Sequence, residues 1–174
     1  MNAQLEMLPP SKEARKIERR PVGYTKSVRE IGLRYEAPHY ADPILQAYAG
    51  GAIKSPEEAG KILRAIINDD VRERFIVLCL DAQNKLIAYR ELTAGTLNAS
   101  LVHPREVYHV AIRTLSASII VGHNHPSGNT EPSREDTEIT RQLAEAGKVI
   151  GIPMHDHVII AGSGHTSLAE RGIF

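Results

Sequence analysis

The sequence predicts an α/β domain in which helices flank a mixed β-sheet. Three apolar runs, FIVLCL, SIIV and VIIA, have the length and composition of buried strands, and three amphipathic helical patterns lie between or before them. Helices and strands that alternate in this way usually pack as layers around one sheet. A chain of 174 residues is long enough for one such domain with a hydrophobic core, and short for two.

The first element of this domain is a helix that begins after Ser55. Ser55 is an N-cap residue, Pro56 suits the first turn, and Glu58 completes a capping box. Two strands follow in RFIVLCLDAQNKLIAYREL, with a turn at residues 81–85. The first of them is almost wholly apolar, which predicts a central position in the sheet.

The second half of the domain alternates helix and strand. A helix starts at Pro104, a buried strand follows in SASIIVG, and a third helix runs from its N-cap at Ser133 to a stop at Gly147. HDHVIIAG predicts one more strand, and SLAERGIF a last helical turn. The buried face predicted for the second helix holds Val107, Ala111, Ile112 and Leu115.

Composition excludes several classes of protein. The formal net charge is zero and the pI about 7.1, so no global charge favours binding to a polyanion or an anionic membrane. The single cysteine, Cys79, excludes an internal disulfide and a cysteine-based zinc cage. The sequence has neither a secretory h-region nor an apolar run long enough to span a bilayer, which predicts a cytoplasmic protein.

Residues 1–54 are predicted to form a basic, proline-containing leader that is partly flexible, ahead of the domain at residues 55–174. The first thirty residues hold seven basic and four acidic side chains. Such an arm can contact nucleic acid, although a solvated leader is the more common explanation. The segment SVREIGLRYE within it alternates partly and predicts an edge strand.

One stretch, VGHNHPSGNTEPSRED, combines metal-ligand side chains with a turn-rich loop. His123 and His125 lie at a strand end, and strand side chains two residues apart point to the same side. Asp136 is the third residue of the next helix, where the helix dipole favours an ionised carboxylate. Two imidazoles and one carboxylate form the ligand set of a catalytic zinc with an open position, which lowers the pKa of bound water toward about 7.

Proton transfer at such a site needs a base, and three carboxylates are candidates. Glu73 lies where the first strand starts, Glu91 at the end of the second strand, and Glu106 in the second helix. Ser133 has two compatible roles. Its oxygen can cap the helix, and its hydroxyl can donate to a developing oxyanion.

The spacing H-x-H, seven residues, S, two residues, D resembles the JAMM motif of MPN-domain metallopeptidases. ERFIVLCLDAQNKLIAYREL, VGHNHPSGNTEPSRED and HDHVIIAG are similar to the bacterial RadC-like JAB-domain family, so that the resemblance runs from Ser55 to the C-terminus. It implies an MPN (JAB/JAMM, cytidine-deaminase-like) fold and one zinc ion bound by His123, His125 and Asp136. Asn124 departs from the pattern, because the peptidase branch commonly has Ser or Thr between the two histidines.

The same resemblance implies a function. Glu73 matches the general base, with Glu91 as the alternative, and Ser133 matches the serine that steadies the oxyanion. The expected reaction is zinc-dependent hydrolysis of a peptide or isopeptide bond in a peptide or protein substrate. One alternative is a non-enzymatic RadC-like module that acts in DNA repair or on mobile DNA through the basic arm. A metal-dependent nuclease is another.

A second H-x-H pair, His155 and His157, begins the last predicted strand. No carboxylate follows it at a matching spacing, so we expect a buried or ligand-supporting histidine there and not a second metal site. Asp156 is a candidate to orient a ligating imidazole by accepting its free N–H.

Overall fold

The computed structural model of the chain describes residues 48, 51–68, 71–94 and 102–174. The basic arm and the strand predicted at residues 27–36 lie outside these ranges. Within them the element order is α1 (Pro56–Ile66), β1 (Arg74–Leu80), β2 (Leu86–Ala94), α2 (Pro104–Arg113), β3 (Ser118–Asn124), α3 (Arg134–Ile150), β4 (Met154–Ala161) and β5 (Gly164–Ser167).

The five strands form one mixed sheet in the order β2-β1-β3-β4-β5. β1 pairs antiparallel with both β2 and β3, β3 pairs parallel with β4, and β4 pairs antiparallel with β5. The prediction of a central β1 is therefore correct. In the β1–β3 register, Phe75 lies opposite His123. This pairing brings the start of β1 to the end of β3.

Helices cover both faces of the sheet, and alternate residues of each strand face opposite sides. Ile76, Leu78 and Leu80 of β1 pack with α1 in one hydrophobic cluster. Phe75, Val77 and Cys79 pack with α2 and α3 in the other cluster. Each central strand is buried on both faces, which explains why its sequence is continuously apolar.

The N-cap predicted for α1 is confirmed, and its capping box differs from the prediction. The Ser55 hydroxyl accepts from the backbone N–H of Glu58, as an N-cap should. The Glu58 carboxylate accepts from the N–H of Lys54 and not from that of Ser55, so the expected capping box is displaced by one residue. N-terminal to the predicted boundary, Ala52 forms a bridge with Lys85, and Ile53 is buried in the α1 cluster.

Three details differ from the predictions. Ile112 of α2 and Leu115, which lies two residues beyond the end of that helix, are exposed, and Tyr108 packs in the core beside Val107 and Ala111. The third helix does not stop at Gly147 but continues to Ile150, and Gly151 ends it in the left-handed conformation. The short strand β5 had not been predicted, and turns follow it where a helical turn was expected. Among the described residues, no helix has the length and apolarity to cross a membrane.

Candidate metal centre

The end of β3 brings the two histidines of the H-x-H motif to one side of the sheet. His123 faces the α2/α3 side, is fully buried, and stacks on the ring of Phe75 with a centroid distance of 6.0 Å. His125 follows the last residue of β3 and is half-buried. Their Nε2 atoms lie 2.9 Å apart, as the two-residue period of a strand predicts.

The loop after β3 fixes the orientation of His125. Its Nδ1 lies 2.7 Å from the carbonyl oxygen of Asn129. A carbonyl oxygen only accepts, so Nδ1 carries the proton and the lone pair is on Nε2. At the far end of this loop, Glu131 forms two hydrogen bonds of 2.6 and 2.7 Å with the guanidinium group of Arg171. The loop is thereby tied to the turns that follow β5.

The start of α3 positions Asp136. The Ser133 hydroxyl accepts from the N–H of Asp136 at 3.0 Å, and the Asp136 carboxylate accepts from the N–H of Ser133 at 2.7 Å. This is a complete capping box with Asp136 at its third position. The Ser133 hydroxyl also donates to Asp136 Oδ2 at 2.6 Å. Ser133 is therefore the N-cap, as predicted, and Asp136 is the carboxylate of the first helical turn.

Glu73 completes a group of four side chains. One donor atom each from Glu73, His123, His125 and Asp136 lies within 4.8 Å of the other three. Glu73 Oε1 is 3.9 Å from the Nε2 atom of each histidine. The other two candidate bases lie elsewhere: Glu91 faces Arg74 at 3.6 Å, and Glu106 contacts Arg105.

The distances between the donor atoms fit a single zinc ion. Ligand atoms about 2.0 to 2.1 Å from a tetrahedral zinc lie about 3.3 Å from one another. Besides the 2.9 Å between the two imidazole nitrogens, His123 Nε2 is 3.2 Å from Asp136 Oδ1 and His125 Nε2 is 3.4 Å from Asp136 Oδ2. The three separations lie within a few tenths of an ångström of the required value, although the two histidines approach different oxygens of the Asp136 carboxylate.

A buried chain of hydrogen bonds orients the ring of His123. The Thr140 hydroxyl donates to the carbonyl oxygen of Asp136, so it can only accept from His157 Nδ1, 2.6 Å away. A neutral His157 then presents an unprotonated Nε2, which accepts from His123 Nδ1 at 2.8 Å. The lone pair of His123 is therefore on Nε2, directed at the cluster.

The second H-x-H motif contributes through His157 alone. His157 supports His123, as expected of a ligand-supporting histidine, whereas His155 is exposed. The expectation for Asp156 is wrong. Its carboxylate points to the opposite face of β4, where Oδ1 accepts from the backbone N–H groups of His157 and Ala169 and not from an imidazole. The strand alternation that turns His157 inward turns Asp156 away.

The electrostatics of the cluster favour an ionised Asp136. Burial alone would raise the pKa of Asp136, but the nearby imidazoles of His123 and His125 and the hydroxyl of Ser133 outweigh it and lower the pKa. The hydrogen bond to Asp136 raises the pKa of His125 against the opposing effect of burial. Complete burial, with the nearby His123, holds the pKa of His157 well below its usual value. His157 is thus neutral, as the hydrogen-bond chain requires.

The cluster is open to solvent through a cleft of about 410 Å³. The cleft is lined by Glu73, His125, Pro126, Ser127, Ser133, Glu135 and Asp136. A separate cavity of about 300 Å³ lies on the other side of the sheet, where Asp156 and residues of α1 line it. None of the four clustered side chains lines this cavity, whereas three of them line the first cleft.

The fold and the cluster together define an MPN-type α/β domain with a group of side chains able to hold a metal ion. The sequence profile of the RadC-like JAB domain matches residues 53–173, and the chain belongs to this family.

Curated relatives extend over most of the chain. A UPF0758 protein of Salinibacter ruber is 43% identical over 159 residues, which cover 88% of this chain and 66% of that protein. A UPF0758 protein of Rubrobacter xylanophilus is 49% identical over 121 residues, which cover 70% of this chain and 53% of the relative. The chain therefore spans between half and two thirds of the length of these relatives.

Proposed function

We propose that the chain is a zinc-dependent hydrolase of the JAMM type that cleaves a peptide or isopeptide amide bond. The observation that carries this proposal is the position of the Glu73 carboxylate, 3.9 Å from both imidazole Nε2 atoms and partly open to a cleft. A purely structural zinc site would be closed by a fourth protein ligand. Here the fourth side chain of the cluster, Glu73, is a carboxylate that is also suited to proton transfer.

His123, His125 and Asp136 are the proposed zinc ligands. The proton on Nδ1 of each histidine is already engaged, by His157 and by Asn129, so both rings offer a lone pair to the same point. In such a site zinc supplies a Lewis acid that activates water and polarises a carbonyl group. Asp136 supplies the negative charge that balances part of the charge of the ion.

Glu73 is the proposed general base. Its side chain is 20% exposed, so it can exchange protons with solvent while it faces the cluster. It would take a proton from the attacking water and deliver it to the leaving amine. Glu91, the alternative from the sequence, is not in the cluster and is a matched control.

Ser133 is proposed to stabilise the oxyanion as well as to cap α3. Its hydroxyl donates to Asp136 Oδ2 in this structure. To serve the oxyanion, the hydroxyl would redirect its proton into the cleft when a substrate carbonyl is present. A peptide or protein substrate is the proposed partner, and its backbone would lie in the cleft beside Pro126 and Ser127.

Metal analysis combined with hydrolysis assays tests the proposal. We expect one zinc ion per chain in the wild type, and none in His125→Ala or Asp136→Ala. Glu73→Gln should keep its zinc but lose roughly a hundredfold or more of the hydrolysis of internally quenched peptides and of an isopeptide-linked probe. Glu91→Gln should match the wild type in both measurements. Absence of zinc from the wild type, or full activity in Glu73→Gln, would exclude this function.

A further inference from the structure

Asn124, the residue between the two histidines, cannot reach the metal cluster because adjacent strand residues face opposite sides. It is nevertheless 2% exposed, at the very end of β3. A buried amide side chain needs partners for both its oxygen and its nitrogen. The partners that Asn124 finds are the backbone groups on either side of Glu73.

Both hydrogen-bonding atoms of Asn124 bond to the segment that carries Glu73. Asn124 Oδ1 accepts from the backbone N–H of Arg74 at 2.8 Å, and Asn124 Nδ2 donates to the carbonyl oxygen of Arg72 at 2.9 Å. That carbonyl and that N–H belong to the two peptide groups that flank the Cα atom of Glu73. One planar amide therefore holds both rotatable backbone bonds of Glu73.

We infer that Asn124 is a positioning residue that sets where the Glu73 carboxylate stands relative to the metal ligands. This inference rests on the proposed function, in which Glu73 transfers the proton. Glu73 immediately precedes β1, and the pairing of β1 with β3 ends at Phe75 opposite His123. The side chain of Asn124 thus continues the contact between the two strands past the last paired residue.

The segment from His123 to His125 thus contacts both parts of the site, the metal ligands and the proposed base. His123 and His125 point to one side of β3, and Asn124 between them holds Glu73 from the other. Because a displacement of about 1 Å in a catalytic group can cost about a hundredfold in rate, a rigid backbone at Glu73 has a direct effect on proton transfer. No hydroxyl side chain supplies both a donor and an acceptor at two separate atoms in this way.

The test compares Asn124→Ala with Asp81→Ala. The Asp81 carboxylate accepts from the N–H groups of Gln83 and Lys85 at the opposite end of β1, so the control also removes two hydrogen bonds from a side chain to the backbone. Zinc content, amide hydrogen exchange and hydrolysis of internally quenched peptides are measured for both variants and the wild type.

In Asn124→Ala we expect zinc content equal to the wild type and faster exchange of the Arg74 amide by roughly tenfold. The turnover number for peptide hydrolysis should fall about a hundredfold, with KM little changed. Asp81→Ala should accelerate exchange only at residues 83–85 and hydrolyse peptides normally. A merely structural role of Asn124 would instead raise exchange along the whole of β1.

Three results would overturn the inference: unchanged exchange at Arg74, unchanged turnover in Asn124→Ala, or loss of zinc from that variant. If Asn124→Ala does not fold, Asn124→Ser, which keeps one hydrogen-bonding atom, is read by the same criteria. If the wild type binds zinc but hydrolyses no peptide, the proposed function fails separately. The exchange data, with the Glu73 position in crystal structures of zinc-loaded wild type and variant, then decide the positioning role.

Discussion

The imidazole rings of His123 and His157 share a hydrogen bond of 2.8 Å in the core, and both side chains are completely buried. The bond joins β3 to β4, and it continues to the Thr140 hydroxyl on α3. A candidate metal ligand is thereby held by a residue 34 positions away in the chain.

We predict that Thr140→Val and His157→Ala weaken zinc binding by about tenfold to a hundredfold, as loss of support behind a ligating histidine generally does. Thr140→Val keeps the shape of the side chain and removes the acceptor of the His157 proton. His155→Ala is the control, because His155 lies on the same strand and is exposed. Competition with a chromophoric chelator measures the affinity. Equal affinities in all four proteins would contradict the prediction.

Ser133→Ala should reduce both stability and zinc affinity, whereas Ser55→Ala should reduce stability alone. Both serines cap a helix by accepting from the third residue of its first turn. Removal of such a cap costs about 1 kcal/mol in the free energy of unfolding. Only Ser133 also donates to the carboxylate of Asp136. Urea unfolding and chelator competition measure the two effects, and equal zinc affinity in the two variants would count against a link between cap and site.

Removal of zinc should destabilise the wild type and leave Asp136→Ala unchanged. A ligand that binds only the folded state at a hundred times its Kd adds about 2.7 kcal/mol to the free energy of unfolding. We expect this difference in urea unfolding of the wild type with and without buffered zinc. A comparable gain in Asp136→Ala would place the ion elsewhere in the protein.

Gly147→Ala should destabilise the protein although alanine is the better helix former. A Cβ atom at Gly147 would overlap the Tyr108 hydroxyl and lie 2.7 Å from the carbonyl oxygen of Ile152. Overpacking of this kind costs about 1 to 3 kcal/mol in the free energy of unfolding, and with backbone as one of the two close neighbours we expect a cost above the roughly 1 kcal/mol gained in helix propensity. Gly60→Ala is the control, because its Cβ would meet no atom closer than 3.5 Å. Urea unfolding in which Gly147→Ala equals Gly60→Ala in stability would refute this packing argument.

Tyr108 should make the protein sensitive to alkaline pH. Burial raises the pKa of its hydroxyl to about 12. The folded state then keeps a proton that the unfolded state releases near pH 10, so stability is constant below that pH and falls as the pH rises toward 12. The loss reaches about 2 to 3 kcal/mol at pH 12. Tyr108→Phe should lack this component when unfolding is measured at pH 9 and pH 11.5, and parallel pH profiles would disprove it.

Local signals account for what the sequence predicts well. Helix caps such as Ser55 and Ser133 involve residues within one turn, and continuous apolar runs identify the buried strands without reference to partners. Helical spacing predicts a stripe that includes Ile112 and Leu115, but neighbouring elements leave Ile112 uncovered, and the helix ends at Arg113, before Leu115. The sequence predicts a helix stop at Gly147, whereas the glycine is needed there for its close approach to Tyr108, a tertiary contact that no local pattern reveals.

In the candidate site, too, local patterns predict some residues and tertiary contacts determine the others. His123, His125 and Asp136 lie within fourteen residues of one another in the chain, and their spacing alone predicts that they converge. The preference for Glu73 over Glu91 came from the family resemblance, and the geometry behind it depends on the antiparallel pairing of β1 with β3. The contacts of Asn124 and His157 depend on strand register, which no local pattern specifies.

Because of the capping box at the start of α3, the direction of the Asp136 side chain depends on its distance in sequence from the N-cap residue Ser133. Each residue of an α-helix turns the side-chain direction by about 100°. An insertion or deletion of one residue between Ser133 and Asp136 would rotate the carboxylate away from both imidazoles. The sequence of residues 126–132 can therefore vary far more easily than the length of the interval from Ser133 to Asp136. We expect related sites to keep this four-residue interval.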